Sequence, residues 1–130
     1  MSEKKVTGNR ERRFTERFNL PDGLIYYRII RKLNWLGNFQ GPYELNDIAS
    51  NSASFECPNK VGLKKLVELK ISSPNFNKEI TVKGHIIRKS SSKKSGECLY
   101  VVQFSPFGKG YQYNTHMSRE DMREFIKSFK

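Results

Sequence analysis

Hydrophobic and polar residues alternate through most of the chain, and turn-forming residues break the alternation at short intervals. Residues 24–33 hold Ile25, Tyr26, Tyr27, Ile29 and Ile30 directly after the turn signal Pro21-Asp22-Gly23. These β-branched and aromatic types suit a pleated surface, so the segment predicts a long first strand. Residues 34–42, with Trp35, Gly37, Asn38 and Gly41, read as a turn-rich connection to a second strand over 43–48. The stretch from Asp47 through Ala49, Ser50, Asn51, Ser52 and Ser54 to Phe55 is then a strand end, a tight polar turn and a strand start. Residues 61–71 fit two periods: Leu63, Leu66 and Val67 suit a helix, whereas Val67, Leu69 and Ile71 alternate with Glu68 and Lys70. The strand is chosen. Past Pro74 and Asn75, Ile80, Val82 and Ile86 share one face of a strand over 79–89, interrupted by Gly84. A Ser/Lys-rich tip over 90–96 predicts a hairpin that returns into a strand over 98–104, whose Leu99-Tyr100-Val101-Val102 run should be buried.

The pattern changes near the end of the chain. Residues 107–117 are irregular and either drape over the sheet or line a site. Ser118-Arg119-Glu120-Asp121 matches a capping box, with Met117 and Met122 placed as a hydrophobic staple. Met122, Phe125, Ile126 and Phe129 follow at i, i+3, i+4 and i+7, so a helix over about 118–129 carries one apolar stripe. That stripe suits docking within the chain ahead of binding a partner. Short strands at regular spacing with one terminal helix predict a mostly β fold, a small antiparallel barrel or sandwich.

At 130 residues the chain is the size of one domain, able to bury roughly two thirds of its unfolded surface. Phe and Tyr supply fifteen of the sixteen aromatic rings, which offsets an apolar fraction of only 36%. The 24 Lys+Arg against 13 Asp+Glu leave a net charge of +11, which selects polyanions as partners: nucleotides, nucleic acids or acidic membranes. Cys57 and Cys98 have no metal-ligand or C-x-x-C spacing and read as reduced structural thiols. His85 and His116 have no spaced Cys, Asp or Glu partner, and there is no Walker or Rossmann glycine loop. No enzyme activity, metal or cofactor is therefore expected. With no apolar run near ~20 residues and no apolar leader after Met1, the expected location is the cytoplasm and no membrane span is expected.

Two polar stretches carry the candidate chemistry. Residues 1–11 read as a mobile tail leading into Arg12 and Arg13-Phe14-Thr15-Glu16-Arg17, the start of a single domain over 12–130. Guanidinium groups pair bidentately with phosphate or with the O6/N7 edge of guanine, and their flat faces stack on bases. A solvated charge run is the plain alternative. In the turn at 47–52, Asp47 suits the N1–H and amino group of a guanine, and the small residues leave room for close approach. The plain alternative there is a hairpin turn in which Asp47 bonds its own backbone.

Taken together, these stretches resemble the PilZ domain family. Its signature is R-x-x-x-R in an N-terminal loop, followed some thirty residues on by D/N-x-S-x-x-G in a turn of the barrel. Here Arg13 to Arg17 match the first motif, and Asp47, Ala49 and Ser52 stand at the D, S and G positions of the second. Ile86-Ile87-Arg88 and Val102-Gln103-Phe104 resemble two later strands of the family, so the likeness spans nearly the whole chain from Arg12. It implies a PilZ-like β-barrel that binds cyclic di-GMP through Arg12, Arg13, Arg17, Asp47, Ala49, Ser50 and Ser52. Binding would order the arginine loop and signal to a downstream protein partner. Ala49 in place of serine removes a hydroxyl bond worth about 0.5–1.5 kcal/mol, and Ser52 replaces glycine. Two other functions remain open: a PilZ-like interaction adaptor without the nucleotide and, ranked last, a single-stranded nucleic-acid-binding barrel.

Overall fold

A computed structural model describes residues 18–19 (backbone only), 22–30, 38–74, 76–92, 94 and 96–128. It contains β1 (Phe18–Asn19), β2 (Leu24–Ile29), β3 (Gln40–Ile48), β4 (Ser52–Cys57), β5 (Leu66–Ser73), β6 (Phe76–Ser91), β7 (Cys98–Phe104) and α1 (His116–Lys127). All strand pairs are antiparallel. The order β3-β2-β5-β6-β7-β4 closes on itself because β4 also pairs with β3, giving a six-stranded barrel. Strand β3 makes the closure. Its first half pairs with β2, while its second half takes β4 on the other edge and β1 beside the end of β2.

Alternation explains which residues fill the barrel. In β5, Val67, Leu69, Ile71 and Ser73 are buried in strict period two, as the strand reading of this ambiguous segment requires. In β6, Ile80, Val82, Gly84 and Ile86 point inward. Gly84 keeps the period because a Cβ there would collide with the Gln103 carbonyl oxygen of β7. Register shifts at Ile25/Tyr27, Leu45/Asp47, Ile71/Ser73 and Ile86/Arg88 bend the strands enough to close the barrel. The last of these breaks the alternation around Ile87, which is half exposed.

Several boundaries differ from expectation for physical reasons. Strand β3 begins at Gln40, β4 at Ser52 and β6 at Phe76, all earlier than polarity suggests, because antiparallel partners continue to supply hydrogen bonds. Strand β2 is assigned only to Ile29, and expectations for residues 31–37 lie outside the described residues. The helix starts at His116, with Thr115 as its N-cap in place of Ser118: the Thr115 hydroxyl accepts the Ser118 N–H at 3.1 Å. Met117, expected in a staple, is instead 72% exposed. Asn114 fixes the approach to the helix. Its amide accepts from Lys83 N–H at 2.7 Å and donates to the Lys83 and Ser105 carbonyls, so the irregular segment is clamped to β6 as if by an extra strand.

Helix α1 covers one side of the barrel with Met122, Phe125 and Ile126, and Phe125 meets Phe76 edge-on at 5.0 Å. Its flanks differ in charge. Asp121 and Glu124 face Lys78 of β6 at 3.0 and 3.5 Å, whereas Arg119, Arg123 and Lys127 lie on the other flank.

Beyond Cys57, the far end of β4 is sealed by hydrogen bonds. Asn59 donates to the hydroxyls of Tyr27 and Tyr43, while the Tyr100 hydroxyl donates to the Asn59 carbonyl and accepts from Val61 N–H. Burial raises the pKa of Tyr27 and of Tyr100 above the ordinary tyrosine value. Cys57 and Cys98, distant in sequence, stand opposite each other across β4 and β7, and both are free thiols. Burial also pushes the Cys57 thiol up, which disfavours the reactive thiolate.

Candidate functional site

The turn between β3 and β4 is built from the end of the barrel. Ile48 pairs with Ala53, and Ala49 N–H donates to the Ser52 carbonyl at 2.8 Å, leaving Ser50 and Asn51 as the two central residues. The Asn51 carbonyl accepts Phe104 N–H at 2.8 Å, which ties the turn to β7 as well. Among the described non-glycine residues only Lys64 has positive φ. Ser52 therefore occupies ordinary strand backbone, where glycine has no conformational advantage. Nor does Asn51 take the left-handed conformation.

The predicted turn residues separate by burial. Ser50 and Asn51 are exposed and Asp47 is partly exposed, whereas Ala49 has no accessible surface and Ser52 is 7% exposed. Asp47 bonds across the sheet: its Oδ1 accepts the Ser54 hydroxyl at 2.7 Å, and Ser54 Oγ accepts from Asn46 Nδ2 at 3.1 Å. The irregularity at Leu45/Asp47 brings Asn46 and Asp47 together beside Ser54. Ser54 thus orients the carboxylate, a role that no short motif announces.

On the other edge of β3, Phe18 pairs with Ile48 and Asn19 with Asp47. Arg12, Arg13 and Arg17 lie outside the described residues. Beyond the turn, on its β7 side, an open groove of about 390 Å³ separates it from α1. Ser50 and Asn51 form one wall, and Arg119, Arg123 and Lys127 form the other. Val82, Phe104, Met122 and Ile126 contribute an apolar lining. The three cations recur at every fourth position of the sequence, so their shared helix face was readable; what that face meets was not.

Other features bear on the remaining functions. Among the described residues no group of three or more His, Cys, Asp or Glu is arranged to hold a metal ion. No helix described is long and apolar enough to cross a membrane. On the outer face of β2 and β5, the Phe39 ring is covered by Arg28 at 4.3 Å and by Lys70 at 4.4 Å. A ring already occupied by the chain's own cations is a poor platform for a nucleic-acid base.

The molecule therefore belongs to the class of small closed antiparallel barrels with one docked C-terminal helix and a polar hairpin turn at the rim. No family model matches the chain, and no curated protein matches it in sequence. Among solved structures it is similar to the Bacillus subtilis inhibitor of motility, MotI/DgrA, with a TM-score of 0.55 and 12% identity over 89% of this chain and 50% of that one. It is also similar to MrkH, a c-di-GMP-dependent transcription regulatory factor, with a TM-score of 0.57 and 13% identity over 88% of this chain and 49% of that one. The chain spans about half the length of these neighbours, and at such identity the likeness is one of fold.

Proposed function

We propose that this protein is a PilZ-like receptor for cyclic di-GMP. In this reading Arg12, Arg13 and Arg17 clasp the phosphates and stack on guanine. Asp47 and Ser50 present the polar rim, and Ala49 and Ser52 shape the turn beneath it. The observation that carries the proposal is the β1–β3 register. Asn19 pairs with Asp47 and Phe18 with Ile48, so the residue that directly follows Arg17 lies opposite the strand end that carries the candidate carboxylate. Consecutive Cα atoms are about 3.8 Å apart, so in this reading Arg17 needs only a short step from Phe18 to reach the second motif. Further support comes from the +11 charge, the order of the two motifs and the fold shared with a c-di-GMP-dependent regulator. Closure of the arginine segment over the ligand would be the signal passed to a partner protein.

Calorimetric titration with cyclic di-GMP tests the proposal. Saturable binding in the micromolar range or tighter, lost or strongly weakened in Arg17→Ala, is the expected result. Absence of both heat and amide chemical-shift change at high micromolar ligand would remove it.

One observation favours a second reading. Ala49 has no accessible surface and Ser52 is nearly buried, so two of the three defining positions of the turn motif offer little to a ligand. An adaptor that has given up the nucleotide would show this pattern. Its mark would be a partner interaction that survives replacement of both Arg13 and Arg17.

A further inference from the structure

We infer that α1 is a second cationic wall of the same site, forming with the Ser50–Asn51 turn a subsite for one guanylyl half of the ligand. This rests on the cyclic dinucleotide reading above and adds to it residues that neither sequence motif contains. The groove combines two kinds of surface that a nucleotide needs. Phe104, half-buried, is the main apolar surface against which a base can lie, with only the edges of the nearly buried Met122 and Ile126 beside it. Arg119 and Arg123 stand along its edge to meet a phosphate. Its volume, about 390 Å³, falls within the roughly 300–1,000 Å³ of small-molecule sites.

The charge distribution on α1 supports the assignment. Two of its three acidic residues, Asp121 and Glu124, are engaged on the opposite flank by Lys78. Among the described residues of the groove flank, Arg119 makes no ion pair and Arg123 pairs only with its helical neighbour Glu120, at 2.6 Å. The Arg123 side chain is 57% exposed, so it can turn from Glu120 to a ligand at little cost in packing. The Ser50–Asn51 turn is thus bordered by β1 and the strand end at Asp47 on one side and by these cations on the other. A dinucleotide seated at the turn would meet positive charge from α1.

Titration of the full chain with cyclic di-GMP, followed by amide shifts, tests this separately from the receptor proposal. Wild-type protein should show shifts at Asp47, Ser50 and Asn51 and also along 119–127. The R119A/R123A variant should bind at least about tenfold more weakly and with a shallower salt dependence. The K60A/K65A variant, which removes the same charge from exposed sites outside the groove, should bind as wild type does. R119Q and R123Q singly should each produce a smaller loss, which guards against an unfolded double variant. Binding with wild-type affinity in R119A/R123A, with no shifts along 119–127, would overturn the role of α1 while leaving the receptor reading intact. No shift anywhere in wild-type protein would remove the receptor reading and this inference together.

Discussion

The two ends of β4, about 17 Å apart along the strand, spend their polar groups in opposite ways. At the Cys57 end, Asn59, Tyr27, Tyr43, Tyr100 and the Val61 amide bond to one another and seal the barrel. At the Ser52 end, the exposed Ser50 and Asn51 face a groove rimmed by Arg119, Arg123 and Lys127. Both ends rest on the same apolar core, so hydrophobic burial does not distinguish them. The difference lies in the use of hydrogen-bonding capacity. A network closed on itself rigidifies the fold, whereas polar groups and cations around a concave surface suit recognition of an anion.

That contrast can be broken most forcefully where the groove wall is anchored. Phe125→Ala should cost about 3–5 kcal/mol of stability, because a fully buried ring leaves a cavity under α1. Denaturant unfolding would show a lower midpoint, and any ligand affinity should fall with the displaced helix. Arg17→Ala should do the reverse. Loss of charge-assisted hydrogen bonds worth about 1.5–3 kcal/mol would weaken cyclic di-GMP binding about ten- to a hundredfold while leaving the unfolding midpoint in place.

At the sealed end, Tyr100→Phe removes the hydroxyl that serves the Asn59 carbonyl and Val61 N–H. A loss of about 1–3 kcal/mol in unfolding experiments, with ligand affinity unchanged, would show that the two ends are energetically separate. A parallel loss of affinity would show that they are coupled.

The same end predicts the response to alkali. Burial raises the pKa of both Tyr27 and Tyr100, so the unfolded chain releases those protons at lower pH than the folded one. Their contribution is fully present below the ordinary tyrosine pKa of about 10 and is lost as pH climbs through the raised folded-state values. Tyrosine absorbance and circular dichroism followed together should show late-ionising tyrosines and falling stability in that window. The smallest effect belongs to Lys78→Met. Its ion pairs with Asp121 and Glu124 are solvent-exposed, and neither the unfolding midpoint nor ligand binding should move measurably.

Much of the architecture was legible before the structure. The alternation of Val67, Leu69 and Ile71 identified β5 despite a competing helical period, and the 98–104 run matches β7. The stripe of Met122, Phe125 and Ile126 foretold a docked helix. Less legible were features that depend on neighbours distant in sequence. Thr115 rather than Ser118 caps the helix because Asn114 locks the preceding turn to β6. Asn59 gave no sign of gathering tyrosines from β2, β3 and β7, and Ser54 none of holding Asp47.

Local chemistry is carried by the chain itself: side chains of period two make strands, and a period near 3.6 makes a helix, because each pattern lays its apolar residues on one face. Hence the succession of strands along the chain, the terminal helix and the polar turn all follow from residue order. Barrel closure does not. It depends on β2 pairing with β5 and β4 with β7, contacts made between residues far apart in the chain. The β1–β3 pairing brings Asn19 to Asp47, and the docking of α1 on the barrel sets Arg119 and Arg123 across a groove from Ser50, so the candidate site is a product of tertiary packing rather than of any one motif.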